Sequence, residues 1–131
     1  MLGLNEARNL VTKAIEKANA DFKRPICVSI VDPYGFLIAF ARMDGAPIRS
    51  IEISRRKAFT SVRMGVSTEA FLARIRKDNI EASWFGDEML PLPGGNVLKD
   101  SAGNVVGGIG ISGLAASEDH VIAEEIAALV A

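Results

Sequence analysis

Two short apolar runs joined by a tight turn constrain the fold of this chain more than any other feature. Residues 26–31 are apolar and largely β-branched, which is typical of a buried strand. The sequence Asp-Pro-Tyr-Gly follows at 32–35, where Pro33 fixes φ and Gly35 admits a positive φ. Residues 36–42 form the second run. So short a connection joins strands only in antiparallel fashion, and the pattern therefore predicts a β-hairpin.

A second hairpin and several amphipathic segments complete the pattern. Residues 96–99 and 104–112 flank a turn at 100–103, and Ser117 is the predicted N-cap of the last helix. The predicted helices span residues 4–20, 50–64, 68–77 and 117 to the end. Hairpins separated by helices indicate an α+β fold, with helices packed on a mostly antiparallel sheet. We expect one domain over residues 1–131.

Composition excludes several classes of protein. The 131 residues are 49% hydrophobic and 24% charged, which argues against disordered, collagen-like and coiled-coil chains. The net charge of −1 provides no overall attraction to nucleic acid or to an anionic membrane. The longest apolar stretches, such as 105–111, are far shorter than the ~20 residues of a membrane span. We expect a cytoplasmic protein that binds neither nucleic acid nor membrane.

The charge is unevenly distributed along the chain. Residues 49–80 contain eight basic and three acidic side chains, whereas residues 81–131 contain eight acidic side chains and one basic one. Solvated helix faces that pair with each other are one interpretation. A local anion site, or a basic face that meets an acidic face in an oligomer, is the other.

Several short motifs admit a catalytic and a structural interpretation. Residues 108–113 match GxGxxG, but only the predicted last helix follows, so no second strand of a dinucleotide site can form. Close strand or subunit packing, or a ligand against bare backbone, is favoured instead. Residues 54–57 match the SxxK of serine acylases, without their other motifs. His120, the sole histidine, is either a metal or haem ligand or an ordinary structural residue. Cys27, the sole cysteine, is predicted to be inert core.

Five segments in order along the chain resemble one family. They are V-D-P-Y-G at 31–35, F-A-R-M-D-G-A at 40–46, S-R-R-K-A-F-T at 54–60, G-G at 94–95, and the glycine-rich run 107–113 followed by Asp119. Together they resemble the GlcG/HbpS-like family, which is also met as the C-terminal domain of PduO-type cobalamin adenosyltransferases. The resemblance implies a profilin-like or PAS-like three-layer α/β/α domain with a five-stranded antiparallel sheet, assembled into homo-oligomers.

The same resemblance bears on the cofactor. Some relatives bind haem, one branch is credited with degrading it, and others accompany the use of glycolate, glycerol or propanediol. Histidine ligation of haem would fall to His120, and the basic helix over 49–63 would meet the propionates. The weaker candidate ligands are Met43, Met64, Met89 and Tyr34.

The leading hypothesis is a small-molecule binding or accessory protein that acts as an oligomer, with haem or another tetrapyrrole as a candidate ligand. Basic side chains would pair with ligand anions, and glycines would allow a close approach to the backbone. The predicted ligand residues are Arg42, Met43, Asp44, Ser54, Lys57, Gly94, Gly95 and Gly110. An enzyme that degrades haem or acts on a small hydroxy acid or diol is one alternative, and a structural or regulatory module is another.

Overall fold

A single antiparallel sheet forms the centre of the computed structural model, which describes residues 1–131. The sheet order is β2-β1-β4-β3. The strands are β1 (Cys27–Val31), β2 (Leu37–Arg42), β3 (Gly95–Lys99) and β4 (Val105–Ser112). The helices are α1 (Leu4–Lys17), α2 (Arg49–Met64), α3 (Thr68–Lys77) and α4 (Ala116–Ala127), with a π-helical turn at Ala18–Phe22 and a 3-10 turn at Ala82–Phe85. No helix combines the length and the apolar character needed to cross a bilayer.

The α+β class and both hairpins are confirmed, and every strand pair is antiparallel. The five-stranded sheet implied by the family resemblance is wrong, because the sheet has four strands. The two hairpins supply all four. Between them lie the two helices α2 and α3, and the segment 86–94 contains two prolines and two glycines, which do not favour a fifth strand.

One face of the sheet carries the apolar core. Helices α1 and α4 pack on this face, whereas α2 packs on the other, which gives three layers. Residues Ile30, Ile109 and Ile111 are fully buried in the apolar cluster between the sheet and helices α1 and α4. Because successive residues of a strand point to opposite faces, the alternate positions of β1 and β4 face α2.

The face beneath α2 is built from small and polar residues. Residue Ser29 of β1 pairs with Gly110 of β4, and the Ser29 hydroxyl lies 2.8 Å from the Ser54 hydroxyl of α2. A Cβ at Gly110 would collide with the carbonyl oxygen of Ser54, so the helix backbone rests directly on the strand. In the GxGxxG sequence, Gly108 and Gly110 therefore pack against α2, whereas the sequence favoured strand or subunit packing, or a ligand, at these glycines.

Two helix termini illustrate how well local signals locate boundaries. Helix α2 ends at Met64 and is terminated by Gly65, whose φ is +72°, as predicted. The prediction of Ser117 as the N-cap of α4 is wrong, because that helix begins at Ala116. The Glu118 carboxylate accepts a hydrogen bond from the Ala115 N–H at 3.1 Å and thereby caps the helix without a serine.

Substitution of Gly110 by alanine tests the contact between α2 and β4. We expect Gly110→Ala to lower the free energy of unfolding by about 2 kcal/mol or more, because the helix backbone must move away from the strand. Urea unfolding followed by circular dichroism measures the change. The control is Gly3→Ala, where the nearest atom to a Cβ is the Glu6 carboxylate at 3.5 Å; its cost should stay under about 1 kcal/mol. Equal effects at both positions would contradict the contact.

Candidate functional site

A buried ion pair joins the helices on the two sides of the sheet. The Nζ atom of Lys57 in α2 lies 3.0 Å from Oδ2 of Asp119 in α4 and donates a second hydrogen bond to the carbonyl oxygen of Ile111 at 2.8 Å. The Lys57 and Asp119 side chains are 1% and 2% exposed. A lysine is seldom buried to this extent, and buried charge pairs are concentrated at functional sites. This end of the sheet is therefore the candidate functional site.

The backbone around the pair leaves room for the lysine to pass the sheet. Residue Gly94 precedes β3 with a φ of +129°, and a Cβ there would lie 2.7 Å from Nζ of Lys57 and 2.9 Å from the Asp119 Cβ. The other carboxylate oxygen of Asp119, Oδ1, accepts the N–H of Leu114 at 3.1 Å. Both partners are thus held by backbone contacts on several sides, which fixes their orientation.

Burial makes the charged states of both groups costly. Desolvation lowers the pKa of Lys57 and raises the pKa of Asp119 to about 6, although attraction between the two opposes each shift. The raised pKa of Asp119 favours folding at low pH, and this contribution is lost as the pH rises through about 6. The lowered pKa of Lys57 favours folding at high pH and is lost as the pH falls through its folded value. Near neutrality, therefore, burial of these charges opposes folding.

A cleft of about 140 Å³ opens above the pair. Below, we call it the Lys57 cleft. Its polar lining consists of Arg49, Ser50, Lys57, Ser112 and Asp119, and its apolar lining includes Ile53, Leu92 and Leu114. The first residues of α2 and α4 both line this cleft, and helix N-termini carry partial positive charge. With Arg49 and Lys57 added, the arrangement suits a small molecule that carries a carboxylate or phosphate.

The structure brings only part of the predicted ligand set to this cleft. Of these residues only Lys57 lines the cleft, and Gly94 lies next to its Nζ atom without lining the cleft. Residue Gly95 packs against the carbonyl of Lys57, and Gly110 packs against Ser54, so these two glycines support the position of α2. The hydroxyl of Ser54 is directed to Ser29 and to the carbonyl of its own helix at residue 51.

The other predicted residues lie elsewhere. Strand pairing places Arg42 next to Cys27 and Cys27 next to Ser112, so Arg42 lies two strands from the cleft, roughly 10 Å away. Residue Met43 packs against the core, and its sulfur accepts the N–H of Ile26 at 3.3 Å. Residue Asp44 is exposed in the following turn. None of the three lines the Lys57 cleft.

The single histidine lies on α4 beside acidic residues. Its Nε2 atom is 3.2 Å from a Glu124 carboxylate oxygen and 3.4 Å from one of Glu69, while its Nδ1 atom is buried without a partner. The four cavities of the chain do not include His120 in their lining. No group of three or more histidine, cysteine or acidic side chains lies close enough together to hold a metal ion. A ligand role for His120 stays a prediction.

Sequence reasoning missed most of the Lys57 cleft. It did not select Arg49, Ser50, Ser112 or Asp119. One signal was available, because Ser50, Ser54, Lys57, Ala58 and Ser61 recur at helical spacing and form the buried face of α2. A face of small and polar residues around one lysine indicates a helix that packs closely on a sheet while it buries a charge.

A second, more open cleft of about 390 Å³ lies farther along α2. Below, we call it the Phe59 cleft. Its lining includes Phe59, Arg63, Phe85 and Met89. The Arg63 guanidinium lies 4.8 Å from the centre of the Phe59 ring, and the Phe85 ring packs edge-on against Phe71 at 5.1 Å. This cleft therefore combines aromatic surface, a cation and a thioether.

Replacement of Asp119 tests how the pair is held. We expect Asp119→Leu to lower the free energy of unfolding by about 3 kcal/mol or more, because it leaves the Lys57 ammonium buried without a counter-charge. Addition of Lys57→Met should recover most of that loss, since neither charge is then buried. Urea unfolding of the wild type and both variants measures this. A single-variant cost below about 1 kcal/mol, as for exposed ion pairs, would contradict it.

The fold of this chain is similar to that of solved proteins. The chain is 30% identical to the crystal structure of a double mutant of Streptomyces reticuli HbpS, with a TM-score of 0.88 over 99% of this chain and 87% of that one. The protein in the crystal structure of a PduOC–heme complex is also 30% identical, with a TM-score of 0.86 over 97% of this chain and 93% of the other.

Similarity in amino-acid sequence extends over nearly the whole chain. The corrinoid adenosyltransferase PduO of Citrobacter freundii is 29% identical over 133 residues, a match that covers 98% of this chain but spans only 39% of the adenosyltransferase. A family model described as "Haem degrading protein HbpS-like" matches residues 2–128. Together with the solved structures, this match shows that the chain belongs to the HbpS-like family.

Proposed function

We propose that this chain is a small-molecule binding or accessory protein of a small-metabolite pathway, and that its ligand is a small organic anion held in the Lys57 cleft. The observation that carries the proposal is the buried pair of Lys57 and Asp119 at this cleft. A buried charge pair that opposes folding is retained more readily where it serves a ligand.

The size and charges of the Lys57 cleft narrow the ligand class. A volume of about 140 Å³ accommodates a short hydroxy acid and is too small for a porphyrin. Exposed Arg49 provides a two-pronged donor for a carboxylate, and Ser50 and Ser112 offer hydroxyls. Asp119 is the one acidic residue of the lining and disfavours a second carboxylate. A monocarboxylate with a neighbouring oxygen fits best.

Titration with L-lactate tests this proposal. We expect Arg49→Gln to weaken lactate binding about tenfold or more in isothermal titration calorimetry, because a charge-assisted hydrogen bond is lost. The control is Arg76→Gln, an equal charge change at an exposed position of α3 outside the Lys57 cleft. Binding should also strengthen as the pH falls through about 6, since protonation of Asp119 removes a negative charge from the cleft.

Two outcomes would contradict the proposal. One is the absence of measurable binding for lactate and for a panel of comparable hydroxy acids. The other is an equal loss of affinity in Arg49→Gln and Arg76→Gln, which would indicate a general charge effect and no defined site.

Haem is a second candidate ligand, favoured by the 30% identity to the protein in the PduOC–heme complex. Of the two clefts, the Phe59 cleft fits a porphyrin better, because Phe59 and Phe85 offer aromatic surface and Arg63 can pair with a propionate. Met89 would supply a thioether ligand to the iron. Neither cleft is lined by His120, so the structure gives histidine ligation less support than methionine ligation.

A haemin titration followed at the Soret band tests this second function. We expect Met89→Leu to weaken saturable binding about tenfold, a loss of about 1.4 kcal/mol, while His120→Ala leaves it unchanged. Met64→Leu is the matched control, a methionine of α2 outside both clefts. Loss of the band in His120→Ala would move the iron to the histidine, and a weak, non-saturating change would exclude haem as the ligand.

We further propose that the chain acts as a homo-oligomer. Strand β2 lies at the edge of the sheet, and edge strands with exposed apolar residues pair readily with other chains. Residues Phe36 and Leu37 at this edge are 68% and 52% exposed, and Trp84 is 71% exposed. These apolar side chains support assembly with further copies, as the sequence predicted for the family.

A further inference from the structure

We propose that the Lys57 cleft captures 2-oxo acids covalently, through addition of Nζ of Lys57 to the ligand's ketone carbon and loss of water to form an imine. The inference rests on the proposed function, since the same cleft must first admit a small monocarboxylate. It adds a carbonyl group to the ligand class and a chemical role to the lysine.

Hydrogen bonding at Nζ supports a nucleophilic lysine. The nitrogen has two acceptors, the carbonyl oxygen of Ile111 at 2.8 Å and Oδ2 of Asp119 at 3.0 Å. A neutral amine has two N–H groups and one lone pair, so these acceptors use both donors and leave the lone pair free. Desolvation, which lowers the pKa of Lys57, increases the neutral fraction. Lys57 also lines the cleft, where a ligand carbon would lie.

Asp119 completes the proton balance. In the neutral form of the pair, Asp119 carries a proton, consistent with its raised pKa. For the Nζ lone pair to stay free, this proton is directed at the ligand oxygen while Oδ2 still accepts an N–H of Lys57. The lone pair of Nζ forms the C–N bond while the carbonyl π electrons move to oxygen. That oxygen takes the Asp119 proton, and the nitrogen returns one proton to the carboxylate, which gives a neutral carbinolamine. Asp119 then protonates the hydroxyl, water leaves, and a protonated imine remains beside the Asp119 carboxylate. No electrons are gained or lost.

The cleft places the two ends of such a ligand in different surroundings. Exposed Arg49 can pair with the carboxylate, while the buried amine meets the carbonyl. Residues Ser50 and Ser112 are 2% and 5% exposed and line the cleft. Their hydroxyls can donate hydrogen bonds to the ligand's carbonyl oxygen as negative charge develops on it. Residue Gly94 contributes no side chain beside Nζ, so the backbone does not crowd the amine further.

Reductive trapping tests the inference on the wild-type chain. The protein is incubated with pyruvate and cyanoborohydride, which reduces an imine to a stable amine, and is then analysed by intact mass and peptide mapping. We expect one carboxyethyl group per chain, located on Lys57, with labelling about tenfold or more above that of exposed Lys77 and Lys99, because binding orients the reactants. Excess L-lactate should suppress the label at Lys57 alone. The variant Lys57→Arg keeps a positive charge and should lose the label.

The possible results separate this inference from the proposed function. If lactate binds but pyruvate labels Lys57 no more than the exposed lysines, covalent capture is wrong and anion binding stands. If neither acid binds and no label forms, both are wrong. Peptide mapping of the wild type decides the matter even if Lys57→Arg does not fold.

Discussion

The contact between Lys57 and Asp119 is the interaction on which the rest of this structure depends. It links α2 on one face of the sheet to α4 on the other, and it does so with charges that have lost their hydration. If either partner moved, an unpaired buried charge would remain, so the relative position of the two helices is tightly specified. The glycine before β3 and the start of α4 are arranged around this requirement.

One face of the sheet contributes most of the apolar core, and the other carries the small and polar residues. The face beneath α1 and α4 is a continuous apolar core that includes Ile30, Ile109 and Ile111. The face beneath α2 instead has glycine and serine, which bury little apolar area and contribute little to the hydrophobic stabilisation of the fold. The opposite face supplies most of the hydrophobic stabilisation, which offsets the cost of burying polar groups beneath α2. This division explains why the candidate site lies where helices from both faces meet.

Much of the fold could be predicted from the sequence because it depends on local signals. The Asp-Pro-Tyr-Gly turn, the glycine after α2 and the periodicity of the helices each identified an element correctly. The candidate site was less accessible, because burial of a charge depends on distant parts of the chain. Residues Glu118 and Asp119 are adjacent acids in the same helical turn, yet one is partly exposed and caps the helix while the other is buried against α2. No local pattern distinguishes them.

The direct contact between the backbones of α2 and β4 also determines which side chain can occupy position 57. Glycine is the smallest residue, so no substitution at position 110 could bring the strand closer to α2. The carbonyl oxygen of Ser54 in α2 contacts the strand at this position, so main-chain atoms set the minimum distance between the two elements. The span from α2 past Gly94 to α4 is therefore a fixed length. Four methylene groups and a compact ammonium match it, whereas the broad, planar guanidinium of arginine presents a different shape. Gly110 of β4 thus determines that a lysine, and not an arginine, fits at position 57 of α2 in the cleft.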